Sequence, residues 1–404
     1  MNDDQQRERL YGLDGVRLDA YDAIVRPDVA FAVRIYTLRR WVPILGASGF
    51  WLLVALQQQC YRNPRGTDWC VVSREVLARE SGMSEATVHR YLRGEYADDG
   101  LCHWVQLPDS ESTHRRRRWS SRAGRMTQAP NRYAIVMDAP LAPVDQRGLA
   151  QFLTEQGAAP GVSSAEIEPA LEQLAGRQLG DLLDLLDECA SRFQPPASWD
   201  EHAFYPTVAD VVLALGIQMN GNDGEGTRFL DLCSRVQQAL VGQVYLGTQY
   251  FRQKWVPLLG HKLGLVVMQL RSMCFWNQDT LRDEVSIGTT RLAAASGCAA
   301  GWLRRAFKKP QAKQFFVVSG GPGRRPSFRV TLLEPIAPQD EDEYRALLNA
   351  GVIVPETSQL GLPESPGPQT HLVNVSEDTN APDERLGTPQ THLVNVSEPR
   401  KRTW

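Results

Sequence analysis

Between residues 73 and 93 the chain sets Ser84, Glu85, Thr87, His89, Arg90 and Arg93 around two apolar residues four apart, Val88 and Leu92. That spacing puts Val88 and Leu92 on one face of a helix, so the polar side chains point away from the core. Hydroxyl, imidazole and guanidinium groups so placed can hydrogen-bond base edges, and the arginine fork suits guanine and phosphate. Ahead of them Leu77 and Ala78 turn inward, Gly82 permits the positive φ of a tight turn, and Ser84 can cap the next helix through its hydroxyl. Two short helices joined by a glycine turn are predicted. The plainer alternative is a helical hairpin inside a larger core.

A second basic set follows. Arg115, Arg116, Arg117, Arg118, Arg122 and Arg125 crowd a polar loop between strand-like segments at 103–106 and 131–136. Arg324 and Arg325 sit in a Gly/Pro-rich turn between similar segments at 314–319 and 327–332. Guanidinium clusters of this kind neutralise phosphates. By themselves they are as often solvated surface.

The elements that must position these residues occur twice. Tyr36, the run Trp41-Val42-Pro43-Ile44-Leu45-Gly46 and Cys60 recur 214 residues later as Tyr250, Trp255-Val256-Pro257-Leu258-Leu259-Gly260 and Cys274. An ungapped match in rare Trp and Cys marks an internal duplication. With one residue of slippage, 292–309 lies over the first helix pair. There Leu303 and Phe307 take the core places of Val88 and Leu92, Ala299 replaces the capping Ser84, and Gly301 weakens the first turn. Trp302, Arg304, Arg305, Lys308 and Lys309 make this copy the more basic one, suited to phosphate contact more than base reading. The competing expectation is a vestigial copy that only packs against the first.

The Leu-Ala-x-x-Ser-Gly-x-Ser-x-x-Thr-Val-x-Arg-Tyr-Leu pattern from Leu77 to Leu92 resembles a bacterial helix-turn-helix. A helix, a helix-turn-helix and a basic-tipped hairpin, taken twice, is similar to the tandem winged-helix replication initiators of plasmids and mobile elements. The first unit also resembles the winged-helix domain of bacterial primosome proteins. The resemblance spans about 33–335, while a long connector and a 24-residue insert in the first hairpin depart from the compact initiator pattern. It implies sequence-specific binding of double-stranded DNA, with Thr87, His89 and Arg90 reading base edges and residues 115–118, Arg324 and Arg325 holding phosphates. A transcriptional regulator of a mobile element is the alternative within DNA binding. A non-enzymatic adaptor, with degenerate winged helices binding protein, is the alternative from another class.

Composition bounds the rest. A chain of 404 residues with 42% hydrophobic content holds two or three globular domains. A net charge of -3 argues against indiscriminate coating of nucleic acid, and positive charge gathers in the loops and one helix. Seven scattered cysteines show no Cys-x-x-Cys pair, and several in apolar helical contexts read as buried thiols, which suits a reducing cytoplasm, with the protein nucleoid or plasmid associated. The longest apolar runs, 50–56 and 263–270, are too short to span a bilayer, and no secretory signal pattern opens the chain. No P-loop, no His-x-His pair with a catalytic Tyr and no metal-ligand spacing is found, so no enzyme, metal or cofactor is expected. The turn at 320–323 lacks the lysine of a phosphate cradle and lies between strands.

The expected fold is mainly α with small β-hairpin wings, an α+β chain. Its expected parts are a lead-in over 1–32, one winged-helix domain over 33–140, a helical connector over 141–200, a second winged-helix domain over 201–335, and a disordered acidic tail over 336–404. In the connector, a long helix from Ser163 to Phe193 is expected to set Ile167, Leu171, Leu174, Leu179, Leu182, Leu183 and Leu186 on one face. That face serves dimerisation into a homo-oligomer or packs on a neighbouring domain of the same chain. The tail carries Pro368-Gln-Thr-His-Leu-Val-Asn-Val-Ser-Glu377 and repeats it unchanged from Pro389 to Glu398. A duplicated linear motif for a protein partner and a tandem duplication without a role are both open.

Overall fold

The computed structural model describes residues 15–63, 68–94, 100–106, 117–120, 125–128, 131–218, 223–276, 281–320 and 325–350. Helix α1 (Gly15–Val25) leads into strand β1 (Ala30–Arg34), a π-helical turn (Thr37–Trp41) and helix α2 (Val42–Tyr61), which is broken at Gly46, where φ is 66°. Strand β2 (Trp69–Val72), helices α3 (Arg74–Ser81) and α4 (Glu85–Leu92), and strands β3 (Val105–Gln106), β4 (Arg117–Ser120), β5 (Arg125–Gln128) and β6 (Asn131–Ile135) complete the first unit. Strands β2, β6 and β3 form one antiparallel sheet with β6 in the middle.

Five helices follow: α5 (Pro143–Glu155), α6 (Ser164–Ala175), α7 (Leu179–Ser191), α8 (Val208–Ala214) and α9 (Asp223–Val241). The expected long helix is two, since the chain breaks between Ala175 and Leu179. All seven of its expected apolar residues are buried in a core continuous with the first unit, so that face packs within the chain. Helices α8 and α9, assigned from sequence to the second domain, share the same core. The bundle is acidic, with fifteen Asp and Glu against five Arg between residues 143 and 241.

The second repeat therefore begins at β7 (Val244–Thr248), not at 201. Its π-helical turn (Phe251–Trp255), helix α10 (Val256–Leu259) and helix α11 (His261–Ser272) repeat the first unit's broken helix, with φ 76° at Gly260. Strands β8 (Phe275–Trp276), β9 (Leu281–Arg282) and β10 (Glu284–Ser286), helices α12 (Thr289–Ala295), α13 (Ala300–Ala306) and α14 (Pro310–Lys313), and strands β11 (Phe316–Ser319) and β12 (Ser327–Val330) follow. Strands β10, β12 and β11 repeat the order of the first sheet, again with the last strand in the middle.

Strands β1 and β7 join the two repeats in one antiparallel ladder, pairing Ala30 with Thr248, Ala32 with Leu246 and Arg34 with Val244. Exchanging every residue for its equivalent 214 positions away maps this ladder onto itself. The expected boundary at 32/33 cuts through β1. Buried Phe31 and Val33 instead belong to the core that holds the second repeat, together with Phe50 and Trp51 of α2.

Each broken helix is closed by the same anchor. Tyr36 Oη donates to Asp145 Oδ2 at 2.6 Å and accepts from the Ala142 amide at 2.8 Å, while Trp41 Nε1 donates to the Pro140 carbonyl at 2.8 Å. In the second repeat Tyr250 donates to Asp340 Oδ2 at 2.9 Å and accepts from the Ala337 amide at 2.8 Å, and Trp255 donates to the Pro335 carbonyl at 2.6 Å. Arg40 and Lys254 pair with the two aspartates at 2.9 Å and 2.8 Å. The peptide Pro140-Leu-Ala-Pro-Val-Asp145 thus has its counterpart in Pro335-Ile-Ala-Pro-Gln-Asp340.

That second anchor moves the expected tail boundary. Asp340 is buried at the end of a 3-10 turn (Pro338–Asp340), and α15 (Glu341–Ala350) continues the folded chain. The compact unit reaches Val354, and a second unit, Pro355–Trp404, contains both copies of the repeated decapeptide. They lie outside the described residues. The run Thr37–Tyr61 is long and apolar enough, by length and composition, to cross a bilayer, which counting short apolar stretches missed; 72% of its most apolar 18-residue stretch is buried within this chain.

Candidate nucleic-acid interface

The first helix pair is set by local chemistry. Ser73 Oγ accepts from the Val76 amide at 3.2 Å and starts α3; Gly82, at φ 68°, ends it. Ser84 Oγ accepts from the Thr87 amide at 3.2 Å and starts α4, and the same hydroxyl lies 2.9 Å from Thr87 Oγ1. These caps satisfy amides that have no partner within the helix. Thr87 is thereby engaged in the cap. Val88 and Leu92 are buried, while Ser84, Glu85, Arg90 and Arg93 are exposed and Thr87 and His89 half-buried. All six polar residues therefore lie off the buried stripe of Val88 and Leu92.

The second pair is weaker in its caps. Neither Gly288 before α12 nor Ala299 before α13 makes a side-chain cap bond. Leu303 and Ala306 are buried, Arg304 and Arg305 exposed, and Trp302 half-buried with Lys262 Nζ 5.8 Å from its ring centroid. Helix α13 stops at Ala306. Phe307, expected in the core on the helix, caps its end half-buried, and exposed Lys308 and Lys309 lie beyond it.

The first basic loop departs from expectation. Arg117 and Arg118 lie on β4 and Arg125 on β5, which pair with each other from Arg117 opposite Gln128 to Ser120 opposite Arg125. The insert holds a small hairpin of its own. Arg115, Arg116, Arg122 and Arg324 lie outside the described residues, and Arg325 is exposed just before β12. On β6, exposed Arg132 places its guanidinium 4.3 Å from the Trp69 ring centroid on β2, a cation–π contact beside the sheet that the sequence reading passed over.

Between the first helix pair and the second repeat opens a cleft of about 300 Å³, lined by Trp51, Arg79, Gly82, Arg252, Gln253 and Pro257 among others. Its charged wall, Arg252 with Glu80, was also missed. Among the described residues no group of three or more His, Cys, Asp or Glu is placed to hold a metal ion. Cys60, Cys70, Cys189 and Cys233 are buried free thiols, Cys274 and Cys298 are half-buried, and Cys102 is exposed.

No protein-family profile, no curated protein and no solved structure matches this chain. What the site can do rests on its own geometry.

Proposed function

We propose that the chain binds double-stranded DNA sequence-specifically through two winged-helix units, as a non-enzymatic replication initiator of a plasmid or mobile element. One observation carries the reading. Twice, a strand, two helices joined by a positive-φ glycine and two further strands close into a sheet of the same order, with arginines exposed on the second helix, Arg90 on α4 and Arg304 and Arg305 on α13. That arrangement suits insertion of α4 and α13 into major grooves, with the hairpins beside them on phosphates. Because exchanging the repeats maps the β1–β7 ladder onto itself, the two helices stand as the halves of a two-fold dimer, and the fitting duplex has two unlike half-sites in opposed orientation.

Fluorescence anisotropy with the full chain tests this, using duplexes from the DNA flanking its own gene against random duplex of equal length. The expected result is a preference of about a thousandfold or more at physiological salt. Equal affinity for both removes sequence-specific binding and moves the adaptor reading ahead. An initiator is set apart from a transcriptional regulator by whether the bound sequence recurs as an array that supports replication.

A further inference from the structure

Each helix pair is held at its elbow by the opposite repeat, and the two holds use different chemistry. Glu80 lies in the last turn of α3, just ahead of Gly82. Arg252, from the π-helical turn of the second repeat, donates through Nη2 to Glu80 Oε2 at 2.6 Å and through Nη1 to the Glu80 carbonyl at 3.0 Å. Its Nε donates to Gln249 Oε1 at 2.7 Å, and Gln249 Nε2 donates to Gln58 Oε1 of α2 at 2.6 Å. The Arg252 side chain is only 1% exposed and that of Glu80 13%. Alongside, His261 Nδ1 lies 3.1 Å from Ser48 Oγ, and a methyl group on Gly82 would come within 3.2 Å of His261 Nε2.

The counterpart of Arg252 is Leu38 and that of Glu80 is Ala295, so no charge pair is available on the other side. Gln269 replaces it. Its Nε2 donates to the Leu38 carbonyl at 2.6 Å and to the Ala295 carbonyl at 3.0 Å, tying the end of α12 to the first repeat's π-helical turn. Gly297, the counterpart of Gly82, lies beside the first repeat there, where a methyl group would sit in ordinary contact with the Val42 carbonyl at 3.4 Å. Both first helices are thus clamped at their C-terminal ends, a few residues before the second helix begins. Buried directional bonds hold orientation as well as distance, which apolar packing alone does less strictly.

We propose that Arg252 and Gln269 are positioning residues that fix the separation and relative orientation of α4 and α13, and so set the half-site spacing the chain accepts. This rests on the DNA reading above. Inserting one base pair moves a half-site by about 3.4 Å and turns it by about 35°, which a clamped pair of helices cannot follow and a loosened pair can.

The test uses the full chain and duplexes selected by the wild type from a random library, remade with one or two base pairs added or removed between the half-sites. Replacing a clamp by its counterparts, Arg252→Leu with Glu80→Ala, avoids stranding a buried charge. Gln269→Ala opens the other clamp independently. The wild type is expected to lose about tenfold or more for a one-base-pair change, and each opened variant less than about threefold. Arg252→Lys, which keeps a charge opposite Glu80, restores the steep profile. Variants that lose affinity equally at every spacing, or keep the wild-type profile, overturn the inference and leave DNA binding standing. A wild type that selects no duplex overturns both.

Discussion

Ala32 and Leu246, which hold the same place in the two repeats, face each other across the β1–β7 ladder. The pairs on either side, Ala30 with Thr248 and Arg34 with Val244, exchange roles when the repeats are exchanged. Contacts away from the ladder follow the same rule: Gly82 lies against His261, and its counterpart Gly297 lies against Gly46, next to the counterpart of His261. The repeats therefore meet as two subunits of a dimer do, within one chain.

Their second helices differ in side chains, and so should their parts in recognition. Arg90 lies on the capped helix among residues able to read bases, whereas Arg304 and Arg305 stand on an uncapped helix among further basic groups. Arg90→Ala should cost about 1–3 kcal/mol and relax specificity at one position of one half-site. Arg304→Ala should weaken all duplexes more evenly. Selection followed by sequencing of bound duplexes compares them, and a larger change in base preference for Arg304→Ala would reverse the assignment.

The arginines of the first hairpin insert should act through charge alone. Replacing Arg115, Arg116, Arg117 and Arg118 by Ala should lower affinity for every duplex alike and flatten the log–log salt dependence by about 0.9 for each phosphate no longer neutralised. Titrations across about 50 to 200 mM salt read the slope. Identical slopes for wild type and variant would mean that these residues do not touch DNA.

Asp145 gives the fold a pH signature. Burial pushes its carboxyl up to about 6, against the pull of Arg40 and the Tyr36 hydroxyl. The folded chain therefore holds this proton more tightly than the unfolded chain, where an aspartate titrates near pH 3.9. Stability from the group is fully present below that value and is lost as pH rises through about 6. Asp145→Asn removes the dependence. Denaturant unfolding should show the variant gaining on wild type by up to about 3 kcal/mol between about pH 4 and pH 7, and a constant difference would count against a buried, raised carboxyl.

Helix α5 meets α7 with no room to spare. A methyl group on Gly148 would lie 2.2 Å from the Leu186 carbonyl, so the two backbones must part to admit it. Gly148→Ala should destabilise the chain by about 3 kcal/mol or more, seen as a lowered denaturation midpoint, although alanine is the better helix former. The exposed Gly180→Ala is the control and should be neutral or stabilising.

The first helix pair was legible because its signals are local. Ser73, Gly82 and Ser84 act within a few residues, and the spacing of Val88 and Leu92 names the buried face without knowledge of what covers it. The bundle was misdivided for the complementary reason. The apolar faces of α8 and α9 announce burial but not against which neighbour, and only the shared core assigns them to the first unit. Asp340 read as part of a solvated acidic run because nothing nearby in sequence reveals Tyr250 and Lys254. Its signal was the hexapeptide shared with 140–145, which sits 195 residues away in place of 214 and so falls out of register with the main repeat. The hairpin of β4 and β5 was hidden in arginine-rich segments that lack apolar alternation.

The ladder between β1 and β7 also sets how occupancy follows concentration. A pair of separate subunits must first associate, so dilution empties their site steeply; here the peptide chain ties the halves together, and diluting the protein cannot part them. Such a chain should fill a paired site along a simple hyperbola down to the lowest concentrations. Freed from using one surface twice, each half can also change alone, which is how a buried Arg252 comes to stand where its twin is Leu38.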